Sequence, residues 1–165
     1  MRRAYTVLAA TALLTACSGA EGPIDIGGET VPRNVAVVDS IRYSAETAIL
    51  ESFPVQLRTT VTLTNLAQRT DTLEVPGGCP VTLRAYRVPT RTGTPVWDQS
   101  KVLVCTLQLR YIVLESGESE LLQGGATATD ILGDSLPDGR YYLSAVVRAN
   151  GETIELAAGS ATLAN

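Results

Sequence analysis

The sequence predicts an all-β fold, a two-sheet antiparallel β-sandwich, from three observations. Apolar residues recur with period two over long stretches, turn-forming pairs separate those stretches at short intervals, and no segment beyond the first sixteen residues carries a helical period. Period two puts alternate side chains on one face of a pleated strand. Many short strands with frequent turns pack as two sheets around one core.

Three strands are plain. Val55, Leu57, Thr59, Val61, Leu63 and Asn65 alternate with Gln56, Arg58, Thr60, Thr62 and Thr64. Leu107, Leu109, Tyr111 and Val113 alternate with Gln108, Arg110, Ile112 and Leu114. Tyr141, Leu143, Ala145, Val147 and Ala149 alternate with Tyr142, Ser144, Val146 and Arg148. Weaker strands are expected over 34–43, 71–75, 81–88, 95–97, 119–123 and 126–131, all short and rich in threonine or β-branched residues. Residues 45–51 fit either a strand or one or two helical turns. Asn150-Gly151 is the strongest turn signal, because both residues accept the positive φ angles of a type I′ hairpin; it predicts that 139–149 pairs with 152–157.

The N-terminus reads as a targeting segment. Arg2 and Arg3 precede an apolar run from Ala4 to Leu14, too short to span a bilayer, and Thr15-Ala16 supplies small residues before Cys17. A plain secretory signal or a buried helix would show the same apolar run. Leu14-Thr15-Ala16-Cys17 resembles a bacterial lipobox, which implies cleavage before Cys17 and a lipid on its sulfur. The expected organisation is therefore a signal peptide over 1–16, a lipid-anchored flexible tether over 17–34 and a β-sandwich over 35–165. The expected location is the bacterial cell envelope, beyond the cytoplasmic membrane and on the outer membrane facing the periplasm. Ser18, next to the anchor, does not resemble a retention signal.

Loss of residues 1–16 leaves eleven basic against seventeen acidic side chains, a formal charge of −6. Such a chain has no excess of cations to displace the counterions of phosphate, which argues against nucleic acid as a partner. With Cys17 acylated, Cys79 and Cys105 remain, and in an oxidising compartment they are expected to form a disulfide; two free buried thiols are the alternative.

Four motifs then fall in order: Val61-Thr62-Leu63-Thr64-Asn65, Pro95-Val96-Trp97-Asp98-Gln99-Ser100, Leu114-Glu115-Ser116-Gly117-Glu118-Ser119 and Leu136-Pro137-Asp138-Gly139-Arg140-Tyr141. Together they resemble the intracellular proteinase inhibitor family of the BsuPI type over about residues 55–163. The resemblance implies an immunoglobulin-like sandwich and an inhibitor of proteases. The chain departs from that pattern at Val75-Pro76-Gly77-Gly78-Cys79-Pro80, where the family carries aromatic residues, and at Cys105.

Chemistry is narrowly bounded. Without histidine there is no Ser-His-Asp triad, no Cys-His pair and no His-rich zinc site. The aspartates at 130, 134 and 138 lie four apart, whereas a calcium loop needs oxygen ligands two apart, so they read as solvated turn residues; Glu115, Glu118 and Glu120 read the same way. Trp97 is expected to fill core. The expectation is a non-enzyme without cofactor or metal, monomeric, working by contact with a protease or another envelope protein. Two loops are candidates for that contact. One comprises Val75, Pro76, Gly77, Gly78 and Pro80, stiffened by the cystine; the other offers Arg87 and Arg91 around Pro89 to an acidic specificity pocket. A non-inhibitory immunoglobulin-like module is the alternative, with the segment 160–163 as a docking edge.

Overall fold

The computed structural model describes residues 25–26, 29–30, 32–106 and 108–165. The expected signal peptide, 1–16, and Cys17 lie outside them. Two antiparallel sheets pack face to face as a β-sandwich.

A short pair, β1 (Asp25–Ile26) and β2 (Glu29–Thr30), precedes the body within the stretch expected to be a tether. Arg33 and Asn34, also assigned to the tether, are bonded into the body: the Arg33 carbonyl accepts the Ala157 N–H at 2.8 Å and that of Asn34 accepts the Ala45 N–H at 2.9 Å. The body thus begins a little earlier than composition implied.

The first sheet contains β3 (Val35–Val38), β4 (Ile41–Leu50), β5 (Gln56–Asn65) and β10 (Ser119–Thr127), in the order β10-β5-β4-β3. The single strand expected over 34–43 is in fact a hairpin. It turns at Asp39 and Ser40, whose φ angles of 48° and 64° make a two-residue turn without glycine. Such angles cost a non-glycine residue about 1–2 kcal/mol, and the β3–β4 ladder offsets that cost. Residues 45–50 are strand and complete β4, since Ala45 packs inward and Glu46 to Leu50 stay in register with β5. In β5 the expected alternation holds: Leu57, Thr59, Val61 and Leu63 are all buried.

The second sheet contains β7 (Val81–Tyr86), β8 (Trp97–Asp98), β11 (Gly139–Ala149) and β12 (Glu152–Leu163), in the order β12-β11-β7-β8. The Asn150-Gly151 hairpin forms with φ angles of 51° and 80°, and pairing runs past residue 157 as far as Gly139 opposite Leu163. One extra residue on β12 is absorbed where the register shifts between Tyr142 and Ser144, beside Gly159 at φ 91°. Trp97 is half-buried and packs against the core.

A two-stranded ribbon, β6 (Asp71–Pro76) with β9 (Leu109–Leu114), completes the body. Apolar residues occupy both faces of β9, so alternation alone did not say which face turns inward. Ile112 and Leu114 are buried, and Leu109, Tyr111 and Val113 face solvent.

Residues 126–131, expected as strand, divide between the end of β10 and a short helix, α1 (Ala128–Leu132). A capping box sets this helix: Thr127 Oγ1 accepts the Asp130 N–H at 3.1 Å, and the Asp130 carboxylate accepts the Thr127 N–H at 2.7 Å. Thr127-x-x-Asp130 is legible in the sequence, and its three-residue spacing outweighs the β-like composition around it.

The sheets approach closely at Gly124, where a Cβ would stand 2.5 Å from the Val81 carbonyl oxygen. Gln99 ties them there, its side-chain oxygen accepting the Leu83 N–H at 3.0 Å and its amide donating to the Gly125 carbonyl at 2.7 Å. At the opposite margin, β3 and β12 flank a cavity of about 1160 Å³ lined by small residues such as Ala45, Ala157 and Ala158.

Candidate functional site

The two candidate loops leave opposite ends of β7. That strand has six residues, so the loops are about 17 Å apart and do not form one surface.

The first loop divides in two. Val75 is the last inward residue of β6 and is fully buried, and Pro76 pairs with Leu109; neither is free to enter a partner. Gly77 and Gly78 are exposed but contribute no side chain. Gly77 donates its N–H to the Gln108 carbonyl at 2.7 Å. At Gly78 a Cβ would stand 2.3 Å from Thr106 Oγ1 and 2.6 Å from its backbone nitrogen, so only glycine permits this approach. Next to it Cys79 and Cys105 are bonded, with their Cα atoms 5.6 Å apart. The expected disulfide is therefore present, and Pro80, half-buried, leads from it into β7.

Across the cystine lies the feature that periodicity did not single out. The segment between the 3₁₀ turn Gln99–Lys101 and β9 carries three exposed aliphatic side chains, Val102 at 68%, Leu103 at 44% and Val104 at 96%. Its near end is fixed by N–H bonds from Val102 and Leu103 to the Gln99 carbonyl, at 3.1 and 2.9 Å, and its far end by the cystine and the Gly77 to Gln108 bond. Cys105 was legible; that its neighbours would stand in water was not, because Val-Leu-Val reads as core.

The second loop is stitched to the body. Arg91, held at φ 56°, donates to three carbonyls: Nε to Leu143 at 2.9 Å, Nη1 to Pro89 at 2.9 Å and Nη2 to Gly159 at 2.8 Å. Burial lowers its pKa from the ordinary value, but an arginine so placed keeps its charge. Arg87 lays its guanidinium 4.3 Å from the centre of the Tyr141 ring. The pair expected to reach for an acidic pocket is thus engaged within the molecule. To enter a partner, Arg91 would have to give up three bonds, each worth about 1.5–3 kcal/mol for a charged donor.

Beside this loop is a polar cluster that joins Asp98 and Ser100 of the 95–100 motif to residues of no motif. On the outer face of the second sheet, Arg84 bonds Asp98 at 3.0 Å and Glu155, whose other oxygen accepts the Tyr86 hydroxyl at 2.8 Å. Asp98 also accepts from the Ser100 N–H and hydroxyl at 3.0 and 2.7 Å. Every member is committed to another, so the cluster clamps β7, β8 and β12 instead of presenting a reactive group. Burial works against the Asp98 carboxylate, yet the bonds from Ser100 and Arg84 hold its pKa below the ordinary value. Burial and the Glu155 bond push Tyr86 up to about 12.

Both shifts translate into stability. A depressed carboxyl stabilises the fold above its unfolded pKa and loses that contribution as pH falls through its folded value. Asp98→Asn is therefore expected to weaken the protein at pH 7 and to converge with wild type as pH falls through the depressed folded value, as read by urea unfolding at each pH. A tyrosine held at about 12 gives a contribution that is present below pH 10 and lost as pH rises toward 12. Ultraviolet titration of Tyr86→Phe checks this by removing one late-ionising phenolate.

Glu118 and Asp138, expected as solvated turn residues, support the backbone. The Glu118 carboxylate accepts the Glu115 N–H at 2.8 Å, and that of Asp138 accepts the Asn165 N–H at 3.1 Å. Among the described residues no three His, Cys, Asp or Glu side chains gather to hold a metal ion, and no helix is long and apolar enough to cross a membrane.

No family model matches the chain, and no curated protein matches it. Among solved structures, one described as "X-ray structure of Northeast Structural Genomics Consortium target SoR45" is similar at 13% identity, with 79% of this chain and 90% of that one covered and a TM-score of 0.33. At that score the likeness carries no argument, and the residues themselves remain the basis for a functional reading.

Proposed function

We propose that the chain is a cell-envelope binding protein, held to a membrane by lipid on Cys17, that inhibits a protease by presenting an exposed loop. The observation that carries this reading is the segment Val102–Thr106, whose aliphatic side chains stand in solvent while both of its ends are fixed to the body. A loop rigid before binding loses little entropy on docking, which favours tight association and disfavours the motion that a substrate needs for turnover. Arg87 and Arg91 then serve to fasten the neighbouring loop and not to meet the target.

The test is stoichiometric titration of a panel of serine proteases with the oxidised, intact chain. Inhibition at nanomolar concentration that disappears when the Cys79 to Cys105 bond is reduced is the expected result. Full protease activity at a tenfold excess of the chain would overturn it. Mass spectrometry of the protein from membranes tests the anchor, with acyl mass expected on Cys17.

A second reading rests on a different surface. Among the described residues β9 pairs with β6 alone and turns Leu109, Tyr111 and Val113 to solvent, as a sheet edge that docks another strand would. A non-inhibitory envelope module of this kind would yield crosslinks through β9 in intact cells and would leave all proteases active.

A further inference from the structure

Resting on the inhibitor reading above, we infer that Val104 is the specificity residue of the loop and that the target is a serine protease with a small apolar specificity pocket, of the elastase type. Three observations converge on this. Val104 is the most exposed of the loop's apolar side chains, at 96%, and it precedes the covalently fixed Cys105, so it projects from a held backbone. Leu103 is less exposed, and its N–H is tied to the Gln99 carbonyl, which holds its backbone to the body. The cations that would suit an acidic pocket are committed elsewhere, Arg91 to three carbonyls and Arg87 to the Tyr141 ring.

The chemistry of the side chain then selects the pocket. Trypsin-type enzymes carry an aspartate at the base of that pocket, chymotrypsin-type enzymes a deep apolar slot and elastase-type enzymes a small apolar one. Valine cannot pair with the aspartate, and it leaves most of a deep slot unfilled. Its β-branched stem fills a small pocket, and its single χ angle is already restricted, so little rotamer freedom is lost on entry. A lipid surface is the other apolar partner such a loop could meet. Stable membrane docking draws on several basic side chains beside the apolar ones, and the loop is flanked only by Lys101 and by Arg110, which is paired with Glu120.

The experiment uses the intact, oxidised chain against one protease of each type, with cosedimentation on vesicles of mixed neutral and anionic phospholipid. Inhibition of the elastase-type enzyme is expected, at least a hundredfold tighter than of the trypsin-type enzyme. Val104→Asp should weaken it at least a hundredfold, and Val104→Leu should move preference toward the chymotrypsin-type enzyme. Because Val104 touches solvent on almost every side, both variants should keep the wild-type melting temperature, which excludes misfolding as the cause. Inhibition of the trypsin-type enzyme that is lost in Arg87→Ala but kept in Val104→Asp would overturn this inference and leave the inhibitor reading standing. Inhibition of none of the three, or vesicle binding abolished by Val104→Asp without inhibition, would overturn both.

Discussion

Asn65→Ala is expected to destabilise the protein by about 3–5 kcal/mol, more than most truncations outside the aliphatic core. Asn65 ends β5 fully buried, and every polar atom of its side chain is used. Nδ2 donates to the Arg69 carbonyl at 2.7 Å and the Leu114 carbonyl at 3.0 Å, and Oδ1 accepts the Ala67 N–H at 2.8 Å. Its backbone bonds Glu118 and Gly117, at 3.0 and 2.9 Å. One residue thus joins the β5–β6 connection to the turn between β9 and β10. Alanine leaves three backbone groups without partners, and each costs about 1–3 kcal/mol where water cannot reach it. Urea unfolding should show a lower midpoint with an unchanged slope. Asn65→Leu should do no better despite filling the space, and Asn65→Asp should recover only the bond from Ala67, because a carboxylate has no N–H to give.

Cys79→Ser with Cys105→Ser is expected to cost about 3.5 kcal/mol, the loop-closure entropy returned to the unfolded chain by opening a loop of this length. The cysteines are 26 residues apart. For a domain of this size the loss corresponds to a fall in Tm of about 10 °C. Reductant should lower the wild-type Tm by a similar amount and leave the double variant unchanged. A fall in the double variant as large as in wild type would mean that reductant acts elsewhere.

The fold was legible where one face of a strand is apolar and the other polar, as in β5, and where turn chemistry is unambiguous, as at Asn150-Gly151. It was not legible at Asp39-Ser40, because a pair without glycine or asparagine is a weak hairpin signal, and the neighbouring ladder decides the matter. In β9 both faces are apolar, and only the position of β6 fixes which one is inside. The helix α1 was missed although its capping box is written in the sequence, since threonine- and alanine-rich composition was read first as strand.

The candidate site was half legible. Cysteine arithmetic located the cystine, but loop chemistry pointed to Arg87 and Arg91, which three carbonyls and an aromatic ring hold within the molecule. No local pattern announces that Arg91 will meet Leu143 and Gly159, both more than fifty residues away. Nor does any local pattern reveal that Arg84, Tyr86, Asp98 and Glu155 share one face. Such partners are set by sheet order, which spacing along the chain does not encode.

The close approach at Gly124 leaves no room for a side chain between the two backbones at that point. Any larger residue at 124 would therefore have to drive the Val81 backbone away, and with it β7 from β10.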